Sequence, residues 1–108
     1  MVIEKEVRKM KTDFKQNEAK LEITLEGELN THSAPELDAK FQEIKDSVSS
    51  IDIYMERLTY ITSAGLRILL AMEQEMEQKK GSLVLHGVNS EIMEVLEITG
   101  FDTILEIV

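Results

Sequence analysis

The chain contains no cysteine, so neither disulfides nor thiolate chemistry is available to it. It also lacks a long hydrophobic run: the longest uncharged stretch spans about ten residues, against the roughly 20 that a helix needs to cross a bilayer. The first six residues include charged side chains and have no apolar core of the kind found in signal peptides. We therefore expect a cytoplasmic protein without membrane insertion.

Basic and aromatic residues are scarce. Twelve lysines and arginines stand against 21 aspartates and glutamates, which gives a formal net charge of −9, and aromatic residues make up 5% of the chain. A nucleic acid would be repelled by this charge and would find few rings on which to stack its bases. We expect no nucleic-acid partner.

The overall composition is that of a soluble globular protein. The 108 residues are 43% hydrophobic and 31% charged, which suits a single domain, 1–108, with one hydrophobic core. Residues 1–9 show no clear hydrophobic period, and we interpret them as an irregular or extra N-terminal segment.

Hydrophobic periodicity predicts a hairpin followed by alternating helices and strands. Strands that alternate with helices lie parallel through right-handed crossovers. We therefore predict an α/β fold with a mixed sheet of four to five strands, an N-terminal antiparallel hairpin and three or more helices. The predicted hairpin arms are 11–15 and 20–26, closed by Gly27; the strands are 51–55, 82–86 and 104–108; the helices begin at Ser33, Ala64 and Asn89 or Ser90.

The first helix is predicted to start with a capping box. Ser33 and Glu36 have the spacing at which the serine accepts from the third amide and the glutamate reaches back. Pro35 suits the first turn, where its missing N–H is not needed. Apolar residues at 37, 41, 44 and 48 extend this helix to Val48.

Residues for catalysis or metal binding do not assemble into a pattern. His32 and His86 lie on different predicted elements, whereas a metal needs three or four converging ligands. No phosphate-cradling glycine loop is present. Glu73, Glu75 and Glu77 indicate a solvated helix face. We expect no metal, no cofactor and no enzymatic activity; a small α/β enzyme is the weakest alternative, since it rests on the fold pattern alone.

Residues 51–66 form the most informative stretch: a buried strand, a hydroxyl-rich turn from Leu58 to Ser63, and a helix start. Such a turn points Ser63 outward at the positive end of a helix, where free amides and the helix dipole stabilise a phosphate. Physical chemistry leaves two interpretations open. The Thr62-Ser63 pair is either an ordinary helix N-cap or contains a regulatory switch.

Gly65 favours a binding surface. A glycine in the first turn of a helix costs about 1 kcal/mol relative to alanine, and its small size lets another protein's backbone approach. We expect this turn to be exposed. On that expectation, Gly65→Arg weakens partner binding without unfolding the domain.

Three blocks, 25–37, 58–70 and 88–101, resemble the STAS domain, and within it the bacterial anti-sigma-factor antagonists. The most specific is 58–70, which contains Ile61-Thr62-Ser63-Ala64-Gly65-Leu66 and is similar to the family's apolar-Ile-Asp-Ser-Ser/Ala-Gly-Leu stretch, whose first serine is phosphorylated. By position that serine is Ser63, although the family often has Asp where this chain has Asn30, Tyr54 and Thr62.

The resemblance implies partner switching. An unphosphorylated antagonist binds an anti-sigma factor that is also a serine kinase, phosphorylation of Ser63 by that kinase breaks the complex, and a phosphatase resets it. The chain would act as a monomer or weak dimer. The alternative is a STAS interaction or scaffold module without phosphorylation, which the missing acids favour. The implied partner-binding residues are Asn30, Thr31, His32, Tyr60, Thr62, Ser63, Ala64, Gly65 and Arg67.

Overall fold

The computed structural model describes residues 10–108, so our interpretation of residues 1–9 lies outside the described part of the chain. An N-terminal hairpin is followed by strands and helices in alternation. The elements are β1 (Lys11–Asn17), β2 (Lys20–Leu29), α1 (Ala34–Ile44), β3 (Ser50–Ile61), α2 (Ser63–Gln78), β4 (Ser82–His86), α3 (Ser90–Thr99) and β5 (Glu106–Ile107), with short 3-10 turns at Lys45–Ser47 and Phe101–Thr103.

The strands within residues 10–108 form one five-stranded sheet whose spatial order follows the sequence, from β1 to β5. The hairpin strands β1 and β2 are antiparallel, and each later strand lies parallel to the one before it. The prediction of a mixed α/β sheet with an antiparallel hairpin at its edge is therefore confirmed.

The hydrophobic core lies on one face of the sheet. Alternate residues of the central strands are buried there, among them Ile23 in β2, Ile53 in β3 and Leu85 in β4. Right-handed crossovers between strands in sequential order place all the connecting helices on that same side. The other face carries polar neighbours such as Glu22 and Asp52, which occupy adjacent positions in the register. No helix within residues 10–108 combines the length and the apolar composition that crossing a bilayer requires.

The central strand is longer than predicted. The residues assigned to a turn, Leu58 to Ile61, belong to β3, and β2 continues through Gly27 to Leu29. Two register shifts in the β2–β3 pairing, one of them between Gly27 and Glu28, allow the ladder to continue. The irregularity also explains why Leu58 and Ile61, three residues apart, are both buried.

The predicted capping box at Ser33 and Glu36 is wrong. The Ser33 hydroxyl donates to the Glu28 carbonyl (2.7 Å) and accepts from the Asn30 amide (2.8 Å), so it makes no cap bond to α1. Asn30 instead supplies the acceptor, since its Oδ1 accepts from the amides of His32 (2.9 Å) and Ser33 (3.0 Å). Ser33 is 6% exposed, which explains why its hydroxyl is bonded inward.

The ends of α3 match the prediction, whereas α1 and the last strand are shorter than predicted. Asn89 caps α3 by accepting from the Ile92 amide (2.9 Å), and Gly100 ends it with a left-handed φ of 81°, as predicted. The first helix ends at Ile44, and Val48 is buried from an extended segment beyond it. The last strand, predicted over 104–108, is confined to Glu106–Ile107.

The acidic face of α2 is less solvated than predicted. Glu73 and Glu75 are half-buried, and Glu75 lies 3.4 Å from the ammonium of Lys45. Partial burial raises the pKa of Glu73, and the charges of Glu77 and Glu106 raise it further. The ionised Glu73 carboxylate is therefore disfavoured in the folded protein.

We predict that Glu73→Gln raises the free energy of unfolding at pH 7 by a few tenths of a kcal/mol, the size typical of partly exposed charges. Because the pKa of Glu73 is raised on folding, its ionised carboxylate destabilises the fold above the folded pKa. This destabilisation is absent below the unfolded value near 4.5, where Glu73 is protonated in both the folded and the unfolded protein. Urea unfolding at pH 7 and pH 4 measures it. The matched control is Glu94→Gln on the exposed face of α3, which we expect to change stability less. An equal gain in stability in both variants would contradict the assignment of the destabilising charge to Glu73.

Candidate functional site: two adjoining strand–helix junctions

The junction between β3 and α2 separates the capping residue from the exposed serine. Thr62 is the N-cap of α2: its hydroxyl accepts from the Gly65 amide (3.4 Å), and its carbonyl accepts from the Leu66 amide (2.9 Å). Ser63 is the first helical residue and is exposed. Among residues 10–108, its hydroxyl has no hydrogen-bond partner. Of the two interpretations of the Thr62-Ser63 pair, the structural role therefore falls to Thr62.

The junction between β2 and α1 runs alongside. The Thr62 amide donates to the Leu29 carbonyl (3.0 Å), and the register pairs Glu28 with Tyr60. The turn that Asn30 caps follows directly from this pairing. Because β2 and β3 are parallel neighbours, their carboxyl ends meet at the same edge of the sheet, which brings the two groups of predicted site residues together.

Gly65 is buried, so the expectation of an exposed first turn is wrong at this position. A Cβ built on Gly65 would lie 2.7 Å from the Leu29 carbonyl oxygen, 2.7 Å from Leu29 Cγ and 3.0 Å from Ile61 Cγ1. The backbone that approaches this glycine is the chain's own. Gly65→Arg would disrupt the domain, and lost binding in that variant would not report on a partner surface.

The nine predicted partner-binding residues differ in their access to solvent. Gly65 is buried, whereas Tyr60 is 55% exposed and stands out as a large apolar side chain on the surface. Three are half-buried: Asn30, Thr62 and Ala64. Five are exposed: Thr31, His32, Tyr60, Ser63 and Arg67. We call these last five the junction surface.

Sequence reasoning missed Glu28 as a neighbour of this surface. It pairs with Tyr60 across the sheet and accepts a hydrogen bond from the Asn30 side-chain amide (3.2 Å). The missed signal was Gly27: its φ of 105° lies beside a register shift at which β3 carries an extra residue, and β2 continues past it to Leu29.

His86 lies on the helix-free face of the sheet, at the end of β4 as predicted. Its Nε2 is 2.7 Å from Asp52 Oδ1, and its ring stacks on Tyr54 with centroids 4.7 Å apart. Partial burial raises the pKa of the Tyr54 hydroxyl, and the charges of Glu22, Asp52 and Glu56 add to the effect. This cross-strand cluster is separate from the junction surface.

Within residues 10–108, no group of three or more histidine, cysteine or acidic side chains is placed to hold a metal. An open depression of about 370 Å³ lies at the hairpin end of the sheet and is lined by Lys15, Gln16, Asn17, Lys20 and Glu22. Since β2 begins there and ends at Leu29, this depression is at the opposite end of the strand from the junction surface.

Comparison with known proteins identifies the fold family. A family model described as "Mlab, STAS domain" matches residues 12–107. The chain belongs to the STAS domain family. The membership inferred from the three sequence blocks is thereby confirmed.

Two curated relatives of this STAS domain are named for the same activity. The putative anti-sigma factor antagonist BtrV of Bordetella bronchiseptica is 31% identical over 99 residues, covering 91% of this chain and 85% of BtrV. The anti-sigma-B factor antagonist of Bacillus subtilis is 27% identical over 95 residues, covering 88% of this chain and 87% of the relative.

Solved structures support the same fold. The anti-sigma factor antagonist SpoIIAA of Bacillus, in its unphosphorylated form, is similar with a TM-score of 0.75 at 22% identity, covering 91% of this chain and 87% of SpoIIAA. Its phosphorylated form gives a TM-score of 0.74 at the same identity, covering 91% of each chain. At this identity the likeness shows a shared fold.

Three positions lack the Asp that the family resemblance led us to expect: Asn30, Tyr54 and Thr62. Thr62 and Asn30 each present a side-chain oxygen to backbone amides, as an aspartate at an N-cap does. Tyr54 faces the helix-free side of the sheet, away from Ser63. The missing acids therefore leave the backbone of both junctions intact.

We predict that Gly65→Ala lowers the free energy of unfolding by about 1–3 kcal/mol, the range for overpacked sites, because the added methyl meets the Leu29 backbone. Ser63→Ala in the same turn is the matched control and should leave stability nearly unchanged, since no hydrogen bond of the Ser63 hydroxyl is lost within the described residues. Thermal or urea unfolding compares the two variants. Equal stability of Gly65→Ala and the parent would contradict the close approach to Leu29.

Proposed function

We propose that this STAS domain is a cytoplasmic anti-sigma-factor antagonist that acts by partner switching. It binds, through the junction surface, an anti-sigma factor that is also a serine kinase, and this binding frees the sigma factor. Phosphorylation at Ser63 breaks the complex, and a phosphatase restores the binding form. Action as a monomer or weak dimer stays a prediction.

The observation that carries the proposal is the state of Ser63. Its hydroxyl is exposed on the first turn of α2 and makes no hydrogen bond within residues 10–108, because Thr62 supplies the cap. A kinase can therefore reach the Ser63 oxygen without unfolding the helix. In the transfer, Oγ takes the γ-phosphoryl group of ATP, loses its proton and leaves ADP as the second product.

The relatives support the partner class. BtrV and the Bacillus subtilis protein are named as antagonists of anti-sigma factors, not as enzymes, and each aligns over most of its own length. SpoIIAA has been solved in both unphosphorylated and phosphorylated forms, which supports a fold that accommodates the modification.

Charge explains how the modification would act. A phosphate adds about −1.5 to −2 charges at neutral pH. At Ser63 this charge would stand among Tyr60 and the other exposed residues of the junction surface, where a partner must exclude water. The free protein tolerates it because the amino end of α2 is electropositive and its first turn contains no acidic residue.

A second candidate is a scaffold module that binds a partner without phosphorylation. The scaffold module is favoured by the side chains at positions 62 and 30. These are Thr62 and Asn30, so acids that a kinase could recognise are absent beside Ser63. The two candidates share the junction surface and differ in whether Ser63 is modified.

We predict that incubation with the anti-sigma factor kinases of the source genome and ATP adds one phosphoryl group to the parent chain and none to Ser63→Ala. Intact-mass spectrometry reads the result directly. Thr62→Asn is the matched control, since it removes the neighbouring hydroxyl, keeps a side-chain acceptor at the N-cap and should still be modified. A parent chain that forms the complex yet stays unmodified would support the scaffold module instead.

We predict that Tyr60→Ala weakens binding of the anti-sigma factor by at least about tenfold, as expected for an exposed aromatic anchor within an interface. The matched control is Ile98→Ala, which truncates another exposed apolar side chain (78% exposed) near the carboxyl end of α3. Calorimetric titration gives both dissociation constants. Equal affinities for Tyr60→Ala and the parent would place the partner elsewhere on the domain.

A further inference from the structure

Arg67 lies four residues after Ser63 in α2, one helical turn further along the same face. Both side chains are exposed. Within residues 10–108, Arg67 makes no ion pair and no hydrogen bond through its guanidinium, although the chain contains 21 acidic residues. Among the described residues, the Arg67 guanidinium is therefore unpaired on a protein with a strongly negative net charge.

The helix positions around Arg67 explain its lack of a partner. Side chains three and four residues away on a helix are its neighbours, and for Arg67 these are Ser63, Ala64, Leu70 and Ala71. None of them carries a charge. Within the described residues, Lys45 pairs with Glu75 and Lys79 donates to the Val48 carbonyl, whereas Arg57, like Arg67, makes neither an ion pair nor a side-chain hydrogen bond. Of the four helix neighbours, Ser63 alone can become an anion by modification.

The spacing and direction favour such a pair. Residues at i and i+4 have Cβ atoms about 5–6 Å apart, within reach of an arginine, and an anion placed before a cation along the helix is the better order. A guanidinium binds two phosphate oxygens at once through parallel N–H donors.

We propose that phosphoserine at position 63 captures Arg67 in an intramolecular ion pair. This inference rests on the proposed phosphorylation of Ser63 and deepens its regulation. In the unphosphorylated chain, the Arg67 guanidinium is available to an acidic group of the partner. Phosphorylation then changes the junction surface twice, because it adds negative charge and withdraws the exposed cation.

The test uses the full chain with phosphoserine incorporated at position 63 by an expanded genetic code, and follows the phosphate by 31P NMR during a pH titration. The second phosphate pKa lies near 6 when unperturbed, and a neighbouring guanidinium lowers it by favouring the dianion. We expect it to be lower in the parent than in Arg67→Gln by about 0.2 to 0.7 unit, the range for an exposed ion pair. Arg67→Lys should keep part of this difference, and 0.5 M salt should reduce it.

The matched control is Arg57→Gln, which removes the same charge. Arg57 lies in β3, four residues and about 13 Å before the end of the strand. At that separation, salt largely screens the interaction between exposed charges. The second phosphate pKa of phosphoserine 63 should be the same in Arg57→Gln as in the parent. An unchanged pKa in Arg67→Gln, or an equal rise in Arg57→Gln, would overturn the ion pair. Since the phosphoserine is encoded, failure of a kinase to modify Ser63 would count against the proposed function and not against this inference.

Discussion

The contact between Leu29 and the first turn of α2 holds the candidate site together. The Thr62 amide donates to the Leu29 carbonyl at 3.0 Å, and Gly65 packs so close to that carbonyl that no side chain fits between them. This contact joins the ends of two parallel strands. It fixes the turn capped by Asn30 beside the start of α2, and it leaves Ser63 on the outside.

A surface fixed in this way favours a switch that acts through charge and not through refolding. The Ser63 hydroxyl makes no hydrogen bond within the described residues, so its modification removes no side-chain bond that holds α2 in place. Backbone contacts already order both junctions, which reduces the ordering that a partner must impose on binding. Under the proposed function, the binding and released forms therefore share one backbone and differ in the electrostatics of a single helical turn.

Much of the fold could be predicted from the sequence, because regular periodicity dominates it. The alternation in β2 and the helical spacing in α2 led to the correct mixed sheet. Errors arose where tertiary contacts override local patterns. Gly27, which borders a register shift between β2 and β3, resembled a strand end. The Ser33–Glu36 spacing resembled a capping box, although the Ser33 hydroxyl donates to the Glu28 carbonyl. The role of Gly65 depends on Leu29, which is distant in sequence and left no local signal.

Under the proposed function, the junction surface binds an anti-sigma factor, and a phosphate on Ser63 opposes this binding. The most direct test measures the affinity of one anti-sigma factor for the unmodified chain and for the chain phosphorylated at Ser63, at the same salt concentration. We predict that phosphorylation weakens binding by at least about tenfold, equivalent to about 1.4 kcal/mol. Equal affinities of the two forms would contradict control of this binding by a phosphate on Ser63.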